Sequence, residues 1–356
     1  MKHSSQILIP ALAALVLTAC SGADVPEGSG TIAAPDGVIS YTVGTAVTRA
    51  NTVNGSEFPA DEQFRIYAYQ TAGGAVVIPG AEVGRMPDGN WGTAVNYYWP
   101  EDGSDVDFYA VYPKDLSFDT AGKKISYSVP ADISLQQDVM YETATYNKAS
   151  SAVTGNAVAA NAVPLTFHHA LAQIAFKGKV SSDNKGWTVD VSRIEICHVN
   201  GSGTLDLTQA AKAWTDLSAP TDYTAGLNTA AGTLNFYEAD NTTEAAATDL
   251  TASDGSLLLI PQTLTAWDTG VNVLDAANTG CYLAVTCWIR SASDDIRGTS
   301  TAHETVYVPF DNGTAGWLPG KRYVYTLNFG AGLDADGKNF RSEERRVGKE
   351  CRSRWS

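Results

Sequence analysis

Apolar and polar residues alternate along many short segments of the chain, which is the pattern of half-buried β-strands. The clearest case is segment 125–129, Ile-Ser-Tyr-Ser-Val, where every second side chain is apolar. Glycine, asparagine, aspartate and proline separate these segments, as expected of turns. The strands predicted in this way are 38–43, 64–69, 107–112, 125–129, 173–177, 193–199, 257–260, 281–289, 305–310 and 323–329.

Segment 281–289 is predicted to be a central strand, because one of its faces is entirely apolar. The residues on that face are Cys281, Leu283, Val285, Cys287 and Ile289. Helical periodicity is scarce, and the best helix candidate is the short segment 205–214. The Gly201-Ser202-Gly203 sequence is interpreted as a hairpin turn. Many short strands separated by turns favour an all-β fold built of antiparallel β-sandwiches.

The beginning of the chain predicts export. Lys2 is followed by an apolar run over 7–17, which is too short to span a bilayer, and then by Leu-Thr-Ala before Cys20. This arrangement resembles a bacterial lipobox, so 1–19 is predicted to be a lipoprotein signal peptide and Cys20 the lipid-modified first residue. Segment 20–36 would then be a tether. An ordinary signal peptide that happens to carry a cysteine is the alternative.

The end of the chain differs in composition from the rest. Segment 341–356 is rich in arginine and has neither a strand nor a helix period. It resembles the translation of a sequencing adapter, and we expect it to be non-native, with the natural residues beyond Phe340 missing. A natural basic tail is the alternative interpretation.

Charge excludes one class of function. The 356 residues carry 24 Lys and Arg against 39 Asp and Glu, a formal net charge of −15. Nucleic-acid binding requires clustered basic side chains, so no nucleic-acid partner is expected.

The residues that commonly form catalytic or metal sites are not arranged to do so. Neighbouring residues on a strand point to opposite faces, so His168 and His169 cannot ligate one metal ion together. Cys281 and Cys287 cannot bond to each other along one strand, and whether Cys197 pairs with either stays open. No nucleophile elbow or phosphate-binding loop is present. The protein is therefore not expected to be an enzyme or to hold a cofactor or metal.

Several segments in order along the chain resemble the fimbrillin-like proteins of Bacteroidales. The segments that carry the resemblance are Pro-Leu-Thr-Phe-His-His-Ala-Leu-Ala-Gln-Ile-Ala-Phe at 164–176, together with 64–69, 98–100, 108–113, 258–262 and 317–325. The resemblance implies two transthyretin-like antiparallel β-sandwich domains in tandem, which we place at 37–160 and 161–340. Segment 148–162, which lacks either period, would connect them. It also implies a lipoprotein of the outer membrane and cell surface that takes part in fimbriae.

Two functional hypotheses follow from that resemblance. The first is a structural pilin subunit that assembles with other pilin subunits after a trypsin-like protease cuts between Arg49 and Ala50 and removes the first strand. The second is a non-polymerising surface adhesin that binds host or bacterial glycans or proteins. The aromatic residues Tyr97, Tyr98, Trp99, Trp187 and Trp288 would either line a sugar-binding face or pack within the sheets.

Overall fold

The structure of the protein is a computed structural model that describes residues 37–45, 48–50, 53–55, 58–151 and 162–330. Strands form nearly all of its regular structure, so the predicted all-β class is confirmed. The strands are β1 (Ser40–Thr45), β2 (Thr48–Ala50), β3 (Val53–Gly55), β4 (Phe64–Gln70), β5 (Val76–Arg85), β6 (Trp91–Thr93), β7 (Val106–Tyr112), β8 (Phe118–Asp119), β9 (Lys124–Ser128), β10 (Met140–Tyr146), β11 (Ala162–His169), β12 (Ala172–Val180), β13 (Thr188–Asp206), β14 (Trp214–Thr224), β15 (Leu234–Asn235), β16 (Thr248–Asp249), β17 (Leu257–Leu259), β18 (Tyr282–Arg290), β19 (Asp295–Arg297), β20 (Glu304–Pro309) and β21 (Arg322–Phe329).

Helical structure is limited to three short elements in the described part of the chain. They are the single-turn helix α1 (Lys148–Ser151) and 3₁₀ turns at Ile133–Leu135 and Ser182–Asn184. No described helix has the length and apolar character needed to cross a membrane.

Seven strands form a closed barrel with the order β1-β11-β10-β7-β4-β5-β6. Alternating side chains of β4 and β7 point inward, and they form one hydrophobic cluster with residues of β1 and β11. Aromatic rings dominate its centre, where the Phe64 and Phe167 ring centroids lie 4.9 Å apart. The cluster is named here the barrel core.

Apart from β2 and β3, which pair only with each other, the remaining strands form two further sheets around a larger hydrophobic cluster. The longest strand, β13, pairs with β9, β14, β15 and β18, whereas β12 pairs with β16, β17 and β21. Prediction of a central strand at 281–289 is confirmed, since β18 lies between β13 and the strands β19 and β20. Its apolar face is buried in the larger cluster as expected.

The three cysteines among the described residues, Cys197, Cys281 and Cys287, are free and buried. Cys197 lies opposite Tyr282 in the β13–β18 ladder and belongs to a small cluster on the other face of the sheet from Cys281 and Cys287. No disulfide therefore joins Cys197 to Cys281 or to Cys287. Burial raises the pKa of Cys197 and of Cys287 to about 12, so both thiols stay protonated at neutral pH.

Two local predictions are wrong, and both concern the end of β13. Segment 205–214 is not a helix: Leu205, near the end of β13, pairs with Trp214 at the start of β14. The Asp206 carboxylate accepts the backbone N–H of Thr208 and stabilises the turn between them. Gly201 and Gly203 are not a hairpin turn either, because they lie inside β13.

Strand pairing joins the two halves of the chain in two places. β9 pairs with β13 through five residue pairs from Ser128↔Ser202 to Lys124↔Asp206, and β11 pairs with β1 and β10 in the barrel. The domain division into 37–160 and 161–340 stays a prediction.

Candidate functional site: the first strand and its seat in the barrel

The first strand, β1, forms a long ladder with one neighbouring strand and a single residue pair with the other. β1 runs parallel to β11 through six residue pairs, from Ser40↔Ala162 to Thr45↔Phe167. On its other side it pairs with β6 at a single position, Tyr41↔Trp91. Just before β1, the Ile39 N–H donates to the Tyr97 carbonyl at 2.9 Å, and the Trp99 N–H donates to the Gly37 carbonyl at 3.0 Å. Parallel pairing is slightly less stable per residue than antiparallel pairing. Because its only long ladder is parallel, β1 is held less firmly by backbone hydrogen bonds than an antiparallel strand of the same length would be.

Side chains of β1 and the residue before it fill the barrel core. Ile39 and Tyr41 are 3% and 2% exposed, and Val43 packs against the same cluster. This is the alternation predicted for 38–43. Fully burying an apolar side chain of this size stabilises a fold by about 1.5–3 kcal/mol. Removal of β1 therefore opens a trough whose walls include the aromatic rings of Phe58 and Trp91.

Polar atoms around β1 are poorly satisfied. Within the described residues, the Ser40 hydroxyl, the Tyr41 hydroxyl and the Trp99 indole N–H are buried without a hydrogen-bond partner. Burial raises the pKa of Tyr41 well above its ordinary value, and nearby Tyr97 adds to the shift. A buried unsatisfied polar group costs about 1–3 kcal/mol. The site that β1 occupies in the barrel thus combines favourable burial of apolar side chains with the cost of burying unpaired polar atoms.

The β10–β11 ladder is the shorter of the two that β11 forms in the closed barrel. β10 and β11 pair only through Met140↔His169 and Tyr141↔His168, although β10 continues to Tyr146 on its other side against β7. Glu142 lies where the pairing stops, and burial raises its pKa to about 7. The His168 imidazole is 3.5 Å from its carboxyl group, but burial and neighbouring His169 lower the pKa of His168. Both shifts favour the neutral forms, so this contact is not a strong ion pair.

The structure separates the two neighbouring histidines, as the strand pattern predicted. His168 is half exposed, whereas the His169 ring is buried and its Nδ1 lies 2.5 Å from an Asp138 carboxylate oxygen. Asp138 is distant in sequence from His169, so no local pattern could have indicated this pair. No group of described His, Cys, Asp and Glu side chains is arranged to hold a metal ion.

The predicted processing residues lie in a small hairpin after β1. Arg49 and Ala50 belong to β2, and Arg49 lies opposite Asn54 of β3. Among the described strands these two pair only with each other, and a lone two-stranded hairpin is marginally stable. Such a segment suits proteolysis because it can open without unfolding the barrel. The predicted lipidation residue, Cys20, lies outside the described residues.

The aromatic residues considered for a sugar-binding face do not form one surface. Trp99 is buried in the barrel core and Trp187 packs against the larger cluster. Tyr98 is 57% exposed on the barrel, while Trp288 on β18 is covered by the Arg290 guanidinium, 3.9 Å from its ring centroid. Packing therefore accounts for most of these rings.

Comparisons with known proteins agree on one group. A family model described as fimbrillin-like matches residues 48–340. A fimbrial protein from Bacteroides vulgatus is 17% identical, with 83% of this chain and 96% of that chain covered and a TM-score of 0.49. A candidate cell adhesion protein from Bacteroides uniformis is 15% identical, with 82% and 93% covered and a TM-score of 0.44. Comparison with curated proteins gives no match.

Proposed function

Because this chain belongs to the fimbrillin-like family, we propose that it is a surface pilin subunit that assembles by exchanging its first strand for a strand of another subunit. Membership supports a pilin-like role in adhesion. The observation that carries the finer proposal is the seat of β1: one parallel neighbour, a single pair with β6, and an apolar trough beneath.

Cleavage starts the exchange. A cut between Arg49 and Ala50 breaks the chain after β1, so β1 is held only by its non-covalent contacts. Its departure leaves the backbone groups of β11 at 162–167 unpaired and exposes the trough. Unpaired strand edges and exposed apolar surface both favour capture of another strand.

The incoming strand has to reproduce what β1 supplied. It needs apolar side chains at every second position to replace Ile39, Tyr41 and Val43, and a backbone that continues the β11 ladder. The net charge of −15 opposes random association of subunits, so specific strand pairing is favoured over aggregation.

Attachment to the cell is the second part of the proposal. Lipidation at Cys20 anchors the precursor to the outer membrane, and the tether 20–36 holds the barrel at the cell surface. Other pilin subunits are then the partners of the processed chain. No catalytic role and no cofactor are part of this proposal.

Limited proteolysis tests the first step. Purified protein is treated with trypsin at limiting dose, and the new N-terminus is sequenced. We expect the first cut after Arg49, while Arg65 resists, because it lies in barrel strand β4 and its guanidinium binds the Glu82 carboxylate. Arg49→Gln is the matched control and should leave β1 attached.

Strand replacement tests the second step. The cut protein is mixed with a labelled peptide of sequence 38–45, and binding is followed by fluorescence polarisation. We expect this peptide to bind and to raise the melting temperature, whereas the same peptide with Tyr41→Asp should not. A cut chain that neither binds the peptide nor forms oligomers would contradict the pilin proposal and favour the non-polymerising adhesin.

A further inference from the structure

A groove lies where the barrel rim meets the sheet of the larger cluster. Its volume is about 650 Å³, within the roughly 300–1,000 Å³ typical of small-molecule sites. One wall comes from the segment before β4 and from the segment after β7, and the other comes from β9 and Gln137. Its lining residues do not belong to β1 or β11, although one of them, Tyr112, also packs in the barrel core.

The wall of the groove is held by buried tyrosines. Tyr112 is 6% exposed, and burial together with the nearby Glu62 carboxylate raises the pKa of its hydroxyl well above the ordinary value. Tyr127 is half-buried, and burial raises its pKa to about 12. Gln137 itself precedes Asp138, which is fixed by its buried contact with His169. The position of the Tyr112 ring is therefore set by packing against Phe58 in the barrel core before any ligand arrives.

Hydrogen-bonding groups of both kinds face the groove. Asp61 and Asp115 supply carboxylate acceptors, and Ser117 and Ser126 supply hydroxyls that take part in no side-chain hydrogen bond within the described chain. Lys114 adds a donor, although its ammonium group already contacts Gln63 and Glu82 at 2.8 and 3.2 Å. An aromatic ring, Tyr127, offers an apolar face among them.

Charge narrows the ligand class. The groove is lined by three carboxylates, those of Asp61, Glu62 and Asp115. An anionic ligand would be repelled by them and would lose its hydration without gaining an opposite charge in return, so an anion is disfavoured. The described acidic residues form no cluster suited to a metal ion, and Lys114 opposes an organic cation. A ligand that donates to carboxylates, accepts from hydroxyls and stacks C–H groups on a ring is a neutral sugar.

We propose that this groove binds a neutral saccharide, with the carboxylates of Asp61 and Asp115 and the hydroxyl of Ser126 contacting its hydroxyl groups. Binding needs neither cleavage at Arg49 nor assembly, so the site serves the uncut monomer as well as a polymer.

A glycan array tests the proposal with the uncut, full-length chain. The array carries neutral oligosaccharides of glucose, galactose, mannose and N-acetylglucosamine, the sialylated forms of the same glycans, and spermine as a cationic comparison. We expect retention on a subset of the neutral glycans, and titration calorimetry then measures the affinity for the best of them. Retention of sialylated glycans or spermine alone, or of nothing, would overturn the proposal.

Groove variants assign the binding to this site. Asp115→Asn removes an acceptor on an 82% exposed side chain, and Ser126→Trp fills the groove from an exposed strand position. Each should weaken binding at least tenfold without changing the melting temperature. Glu101→Gln removes the same charge from an exposed turn outside the groove and should bind like the parent. Unchanged binding by both groove variants would place the sugar elsewhere and refute the assignment.

Discussion

At the scale of single residues, eight buried side-chain polar atoms among the described residues have no hydrogen-bond partner, half of them in the barrel and half elsewhere in the fold. Most buried polar groups in proteins have hydrogen-bond partners, so exceptions call for a physical explanation. In this chain, three of them surround the strand that the proposed function requires to leave. A penalty at this place lowers the cost of exchanging β1.

Tyr41→Phe tests that penalty. The substitution keeps the ring and removes a buried hydroxyl that has no hydrogen-bond partner among the described residues. We expect the free energy of unfolding in urea to rise by about 1 kcal/mol. Tyr223→Phe is the matched control with the opposite sign, because the buried Tyr223 hydroxyl donates to the Val129 carbonyl at 3.3 Å. A Tyr41→Phe protein less stable than its parent would contradict the penalty.

The raised pKa of Glu142 predicts that the stability of the protein depends on pH. Because burial raises its pKa from 4.5 to about 7, the folded state retains a proton that the unfolded state has lost. Its contribution therefore makes the free energy of unfolding fall as pH rises from about 4.5 to about 7. Lys212 and His168 also face this carboxyl group. Because the pKa of His168 is lowered in the folded state, its own contribution makes the free energy of unfolding rise with pH just below the ordinary histidine pKa, opposite to the contribution of Glu142.

Glu142→Gln isolates this effect. The neutral amide should make the protein more stable than its parent at pH 8, by about 1–3 kcal/mol, and leave stability at pH 4.5 nearly unchanged. Urea denaturation at both pH values measures the difference, with Glu101→Gln as an exposed control. An equal change at both pH values would show that the amide acts through packing and not through protonation.

At the scale of elements, β13 shows why glycine occurs inside a long strand. A Cβ atom at Gly201 would lie 2.3 Å from the Tyr223 hydroxyl oxygen, and one at Gly203 would lie 2.9 Å from a Leu217 side-chain atom. These glycines allow β14 side chains to cross over the β13 backbone. The close approach also explains why Tyr223 can be fully buried.

Gly201→Ala should therefore overpack this crossing. We expect a loss of about 1–3 kcal/mol in the free energy of unfolding, because Tyr223 is buried and has no room to move. The control is Gly186→Ala, where a Cβ atom meets nothing within 4 Å. Differential scanning fluorimetry of both variants checks the prediction, and equal melting temperatures would refute it.

At the scale of the whole molecule, the barrel and the larger cluster share strands and side chains. Outward-facing barrel residues, including Tyr67, Tyr69 and Val111, belong to the larger cluster, and β9 pairs with β13. Elements that share a core unfold together. We expect one calorimetric transition with equal calorimetric and van't Hoff enthalpies for residues 37–340; two separated transitions would show independent domains.

The sequence alone determined the strand content, because alternation of apolar and polar residues reflects burial of one face and needs no knowledge of partners. It determined the faces of 281–289 and of His168 and His169 for the same reason. It could not show that Gly201 lies within a strand or that 205–214 forms a hairpin, because both depend on a partner strand that packs from elsewhere. Only the tertiary structure decided that β1 lies parallel to β11, that Asp138 meets His169, and that Tyr112, segment 113–117 and β9 line one groove. These features join residues far apart in the chain, and their geometry is set by packing, which a local pattern does not encode.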